Sequence, residues 1–504
     1  MSAGQVNWRE HAWRLWPEIL AFVVFAAAIW AQTGARVGVF FDDGIYVVLA
    51  KALASGEGYH NIHLPGAPPA VHYPFLYPAA LSLLWQVWPS FPSNVALFGI
   101  FDSAALALAA WAIARHARRW QIPRAVHFVA LPAGFLAFPL LTIVGVRFSE
   151  PMFLALTALA VLAADREQVT YRGAALAGVL AGLAALTRTA GVAIIGGIAL
   201  AYWLRRRRGA AALVAGAGVL MVLPWIAWLV ARGNAIDPLL AANYGTYLAE
   251  ARQAGAAGFL AGVNPGVFAP LARLSLPAVP GWLWYPMAVT LVGIVVWGAV
   301  LVARRVPACV ISLGCYLLLV GLWPFAPDRF VWILLPWLAL LALVGGVDAW
   351  RRGGAAQGVI AVLAVAVSAG YLPREAISLG TRGFARTAER ISLPFDLLVP
   401  SIAQETPDDA VVAVADEALV YLYTGRKATP NHLFRWERRG TEAYSTDVTM
   451  SYLCASGVTH VALTGPNAPA APLVNQGIRG PDPLLTRLFR VTDGPALYRL
   501  TCPS

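Results

Sequence analysis

Charge is scarce in this chain. Of 504 residues only 12% are charged, against roughly a quarter in an ordinary soluble domain, while 59% are hydrophobic. A water-soluble fold is excluded for most of the length. Alternation of apolar and polar residues at period two is also missing from the apolar runs, which excludes a membrane β-barrel and leaves a helical bundle. Four cysteines are too few for a disulfide-built scaffold. Cys309 and Cys315 lie inside an apolar run and read as small hydrophobes, whereas Cys454 and Cys502 are free to pair. No P-loop occurs, and no glycine-rich dinucleotide turn with a downstream acid. The histidines lack a zinc spacing such as HExxH.

What is present is a series of apolar runs from the N-terminus to about residue 372, each bounded by charge or proline. The net charge of +11 comes from short basic clusters between these runs, not from one basic face, so it marks topology instead of nucleic-acid binding. By the positive-inside rule, Arg9 and Arg14, Arg115 to Arg124, Arg166 with Arg172, Arg205 to Arg208, Arg304-Arg305 and Arg351-Arg352 are cytoplasmic. Threading between them gives about eleven spans: 16–33, 94–114, 125–146, 150–164, 173–187, 190–204, 211–231, 283–303, 308–323, 330–347 and 355–372. The segment 19–31 also has the form of a signal peptide, but is read as a retained anchor because the most chemically suggestive residues follow it. The stretch 75–88, with Trp85 and Trp88, is expected to be a helix lying in the interface or re-entering.

The expected fold is an all-α polytopic bundle over 1–373, with outside loops 34–93 and 232–282, and a small C-terminal α/β domain over 374–504. Within that domain, 410–415, 418–423 and 459–463 read as strands and 446–456 as a helix. An odd span count places the C-terminus outside.

The first outside loop opens with Phe40-Phe41-Asp42-Asp43-Gly44-Ile45-Tyr46. Two adjacent carboxylates repel, so at least one has a raised pKa unless a cation compensates, which suits a general base. An N-terminal helix cap accounts for the pair equally well. The loop also holds Lys51, Tyr59, His60, His63 and His72, and ends in Tyr73-Pro74-Phe75-Leu76-Tyr77-Pro78, which suits either a pocket wall or interfacial anchors. Arg147 and Glu150 stand at an outside boundary, Arg188 between two short spans, and Asp102 inside a span. Ionisable groups at such depth cost about 2.5–3.5 kcal/mol, so they face a cavity or a partner. Asp328-Arg329-Phe330 follows Trp323-Pro324-Phe325, and an arginine there reads either as a phosphate ligand or as a surface ion pair.

In their order along the chain, these pieces resemble the GT-C membrane glycosyltransferases, in particular the dolichyl-phosphate-mannose protein mannosyltransferase and aminoarabinose lipid A transferase group. The pieces are Asp42-Asp43 with Tyr46, the Tyr73–Pro78 segment, Ser149-Glu150-Pro151, Leu186-Thr187-Arg188 and Arg329-Phe330. The resemblance implies inverting transfer of a hexosyl or pentosyl unit from a polyprenyl-phosphate donor to a hydroxyl of a lipid, glycan or protein. It implies Asp42 as base with Asp43 beside it, and Arg188, Arg329, Arg147 and Lys51 toward the donor phosphate. Tyr46, Tyr59, His63, His72, Tyr73, Tyr77 and Glu150 are implied for the substrate pocket. No metal ligands are assigned, and a divalent cation is left open. The implied location is a bacterial inner membrane with the catalytic face outside. A transporter or flippase of lipid-linked saccharides is the alternative.

Overall fold

A computed structural model describes residues 8–249, 265–322, 326–437, 440–479 and 483–503. Part of the second outside loop, 250–264, and the segment 323–325 lie outside the described residues. Among the described residues, five helices are long and apolar enough to cross a membrane: Ala12–Trp30, Val95–Trp120, Arg208–Arg232, Gly281–Val302 and Gly354–Thr381. A sixth results if Arg124–Phe135 and Phe138–Gly145, bent by 47° at their junction, form one span. Pro132 inside the first half and Pro139 at the start of the second account for that break. The chain is therefore a multi-pass membrane protein.

The expected total of about eleven is not confirmed by length and composition among the described residues. Leu76–Val87, Glu150–Ala164, Tyr171–Thr187, Thr189–Leu204 and Pro307–Leu322 are apolar but no longer than 17 residues. At 1.5 Å per residue even the longest covers only about 26 Å, short of a hydrocarbon core of about 30 Å. The expected span 330–347 is divided into Asp328–Trp332 and Leu335–Arg351. Small residues let these helices meet closely. Where Gly281–Val302 crosses Leu335–Arg351, a methyl on Gly298 would overlap the Leu341 carbonyl, and one on Gly345 the Ile294 carbonyl.

The expected boundary at 373 falls within the helix Gly354–Thr381, which contains Pro373. Helices Gly383–Ser392 and Phe395–Glu405 precede the first strand. The C-terminal region holds β1 (Val411–Val414), β2 (Lys427–Pro430), β3 (Phe434–Glu437), β4 (Gly440–Ala443), β5 (His460–Leu463), β6 (Leu485–Arg490) and β7 (Ala496–Leu500). Five of them form a sheet in the order β2-β1-β5-β7-β6, with β2, β1 and β5 parallel and β7 and β6 antiparallel, while β3 and β4 form a separate hairpin.

The run 418–423, expected as a strand, is instead the helix Glu417–Thr424. Parallel strands β1 and β2 need a crossover, and this helix is it; Gly425 ends it in the left-handed region at φ 76°. A fully buried helix and a fully buried strand have the same uninterrupted apolar pattern, which is why periodicity failed there. Cys454 and Cys502 form a disulfide with a Cα–Cα separation of 5.7 Å.

The sheet region is not a separate body hung from the bundle. One apolar core contains Tyr46 and Leu49 of the helix Asp42–Ala54, Tyr77 and Leu81 of Leu76–Val87, and Ala418, Leu453 and Leu463 of the C-terminal region. Burying them together fixes the segment 34–93 between bundle and sheet.

Candidate active site

Asp42 and Asp43 open the helix Asp42–Ala54, and the backbone gives them separate tasks. Phe41 just before them has φ 63° and ψ −68°, a conformation that costs a non-glycine residue on the order of 1–3 kcal/mol. Asp43 helps hold this turn. Its carboxylate accepts from the Gly38 amide at 2.7 Å and the Phe40 amide at 3.0 Å, and the residue is buried. Gly38 sits at φ 104°, and a methyl there would lie 2.7 Å from Leu419 Cβ; a methyl on Gly44 would lie 2.9 Å from Ala418 Cβ. The turn is thus pressed against the helix Glu417–Thr424. Burial pushes the Asp43 carboxyl up to about 6 despite the two amides, with the charge of Asp42 adding to the rise.

Asp42 faces a cavity of about 420 Å³. Tyr73 donates its hydroxyl to Oδ1 at 2.5 Å, and Arg329 donates from Nη1 to Oδ2 at 2.8 Å. Burial pushes this carboxyl up, but the Arg329 charge and the Tyr73 bond outweigh it and hold it below the ordinary value. One member of the pair is raised and the other is compensated by a cation.

Arg147 and the three residues after it form a row in which the last three hold the arginines Arg188 and Arg329. Arg147 pairs with Asp102 at 3.6 Å, and Tyr77 donates to the same carboxylate at 3.0 Å. The Phe148 ring lies 3.7 Å under the Arg329 guanidinium. The Ser149 hydroxyl hydrogen-bonds to the Tyr46 hydroxyl at 3.1 Å and accepts from Arg188 at 3.2 Å. Glu150, 1% exposed, accepts from Arg329 Nε and Nη2 at 3.0 and 2.7 Å and pairs with Arg188 Nη1 at 3.0 Å. Two arginines and two carboxylates leave the cluster formally neutral.

Of the residues implicated by sequence, Asp42, Tyr46, His72, Tyr73, Arg188 and Arg329 line the cavity. Glu150 stands behind the arginines. Asp43, Lys51, Tyr59, His63, Tyr77 and Arg147 are not in the lining. The Lys51 ammonium lies 4.5 Å from the centroid of the Tyr421 ring, and burial lowers its pKa. Tyr59 donates to the Tyr73 carbonyl at 2.8 Å, and His63 is buried beside Tyr244. His72 donates from Nδ1 to the Gly245 carbonyl at 2.8 Å, and burial keeps its ring below its ordinary pKa.

The lining also includes Phe41, Thr189, Asn243, Tyr247 and Trp436. No motif marks Asn243, Tyr247 or Trp436; they reach the cavity because the segment around Ala242–Tyr247 and the strands β3 and β4 meet over it, with Trp436 Nε1 donating to the Ala242 carbonyl at 3.0 Å. Among the described residues no group of three or more His, Cys, Asp or Glu is placed to hold a metal ion.

No protein-family model and no curated protein matches the chain. Solved structures do match in fold. ArnT from Cupriavidus metallidurans, bound to undecaprenyl phosphate, is 15% identical with a TM-score of 0.57, over 97% of this chain and 98% of that one. The Archaeoglobus fulgidus oligosaccharyltransferase tethered to an acceptor peptide is 12% identical with a TM-score of 0.52. The archaeal oligosaccharyltransferase AglB from the same organism, in complex with an inhibitory peptide and a dolichol-phosphate, is 11% identical with a TM-score of 0.54. Each of the two covers 89% of this chain and 69% of its own. Over nearly its whole length, then, the chain shares the fold of the GT-C enzymes to which ArnT and AglB belong.

Proposed function

We propose that the chain is an inverting glycosyltransferase that moves a sugar from a polyprenyl-phosphate donor to a hydroxyl acceptor on the non-cytoplasmic face of a bacterial inner membrane. The observation that carries this reading is the juxtaposition, in one cavity, of an ionised Asp42 with Arg188 and Arg329. The likeness to proteins that bind undecaprenyl phosphate and dolichol-phosphate supports the donor class. The disulfide Cys454–Cys502 supports an oxidising compartment for the C-terminal region.

In the proposed reaction Asp42 accepts the proton of the acceptor hydroxyl. The acceptor oxygen forms a bond to the anomeric carbon from the face away from the phosphate. The anomeric carbon–oxygen bond breaks, and its electron pair leaves with the polyprenyl phosphate. One negative charge thereby moves from Asp42 to the leaving phosphate, and the site's total charge is unchanged. Arg329 suits this transfer because its planar fork already spans Asp42 and Glu150 and can exchange the Asp42 carboxylate for a phosphate oxygen. Arg188, held by Glu150 and Ser149, supplies a second fixed positive charge. No observation of its own favours lipid flipping.

The test is mass analysis of lipid-linked sugars and envelope glycans in cells with the protein, without it, and with Asp42→Asn. The donor accumulates and one decoration is missing in the last two; a normal profile with Asp42→Asn refutes the assigned base.

A further inference from the structure

The strongest unabsorbed feature is a buried chain of three side chains that joins three distant parts of the sequence. Glu417, from the C-terminal region, is 0% exposed and accepts a hydrogen bond from the Tyr244 hydroxyl of the second outside loop. His63 Nε2, from the 34–93 segment, lies 2.9 Å from the same oxygen and hydrogen-bonds to it. Among the described residues, His63 Nδ1 and Glu417 Oε2 are buried with no partner. Burial pushes the Glu417 carboxyl up to about 8, which shows how poorly this position suits a carboxylate. What the carboxyl group adds is direction, because its oxygen fixes where the Tyr244 hydroxyl points.

None of the three side chains lines the cavity, yet the residues around Tyr244 do. Ala242, Asn243 and Tyr247 form part of its wall, joined by Trp436 from the β3–β4 hairpin. The Ala242 carbonyl accepts from Trp436, and the Gly245 carbonyl accepts from His72. The Tyr244 ring meets the strained Phe41 edge-on at a centroid distance of 5.7 Å. The chain of hydrogen bonds therefore stands behind both this wall and the turn that aims Asp42.

We propose that Glu417 is a positioning residue through which the C-terminal region, by way of Tyr244, sets the wall formed by Ala242, Asn243, Tyr247 and Trp436, and that this wall receives the acceptor. The arginine-bearing part of the cavity is built where the apolar helices Tyr171–Thr187 and Thr189–Leu204 meet Asp328–Trp332, and on the glycosyltransferase reading it takes the lipid-linked donor. The wall around Tyr244 is built entirely from outside loops and the C-terminal region, where an acceptor arrives. The acceptor assignment rests on the glycosyltransferase reading; the positioning of the wall does not.

The experiment uses the full-length protein in nanodiscs and reads the rate at which a polar maleimide labels Asn243→Cys in the wall and Thr189→Cys in the helical part of the cavity. The parent protein gives the background from Cys309 and Cys315. Glu417→Leu and Tyr244→Phe are expected to change labelling at position 243 by about fivefold or more while leaving position 189 and undecaprenyl phosphate affinity within about twofold. Glu417→Gln, which still accepts from Tyr244, is expected to restore the original rate. No change at 243, or equal changes at both positions, overturns the positioning role. In cells, Glu417→Leu is expected to accumulate the lipid-linked donor, as Asp42→Asn does. Accumulation with Asp42→Asn but not with Glu417→Leu overturns the acceptor assignment. Accumulation with neither refutes the glycosyltransferase reading while the labelling result stands.

Discussion

Replacing Asp42 by Asn removes a charge that competes with the donor phosphate for Arg329, so it should strengthen binding of undecaprenyl phosphate even as it abolishes transfer. The separation of 2.8 Å sets the scale. A bare Coulomb term runs from ~1.5 kcal/mol in bulk water to ~6 kcal/mol at an effective dielectric constant of 20. The two side chains are 23% and 30% exposed, so solvent screening moves the pair toward the lower end. A net gain of about 1–2 kcal/mol then corresponds to roughly 5–30-fold tighter binding. Asn keeps a carbonyl oxygen for the Tyr73 hydroxyl, so the geometry is retained. Affinity is read by titrating undecaprenyl phosphate into the protein in nanodiscs at fixed salt, with Arg329→Gln as the comparison that loses binding. Unchanged or weaker binding by Asp42→Asn refutes the exchange of partners at Arg329.

Glu150→Ala should destabilise the protein by about 3–5 kcal/mol, because two arginines lose their shared buried counter-charge; its thermal unfolding against wild type checks this. Gly38→Ala meets Leu419 at a positive φ and should lower the melting temperature. Gly56→Ala, at φ 80° but in open space, reports the backbone strain alone. The raised pKa of Asp43 means that the folded state holds its proton more tightly than the unfolded chain does. Its contribution is fully present below about pH 4 and is lost as pH rises through about 6. Melting temperatures of wild type and Asp43→Asn should therefore differ in slope across that window; equal slopes refute the buried titration.

The sequence by itself determined the class of molecule, since long apolar runs with so few charges have no soluble solution, and hydrogen bonding inside lipid leaves only helices or closed barrels. It also brought out the charges in and behind the cavity: Arg188 and Glu150 as ionisable groups at membrane depth, Asp42 as one of an adjacent acidic pair, and Arg329 as an arginine beside a carboxylate. The strands near 410–415 and 459–463 were readable from short apolar runs, whereas 418–423 was not, because complete burial erases the difference between helical and strand periodicity. Only the tertiary structure decided which charges meet. Asp42 and Asp43 are adjacent in sequence, yet one faces the cavity and the other a turn, a distinction set by the backbone at Phe41 and the close approach of Leu419. Asn243, Tyr247 and Trp436 carried no signal at all, because their place depends on contacts between segments nearly two hundred residues apart. Local pattern records whether a side chain prefers water or lipid; which partners it finds is a property of the packed chain.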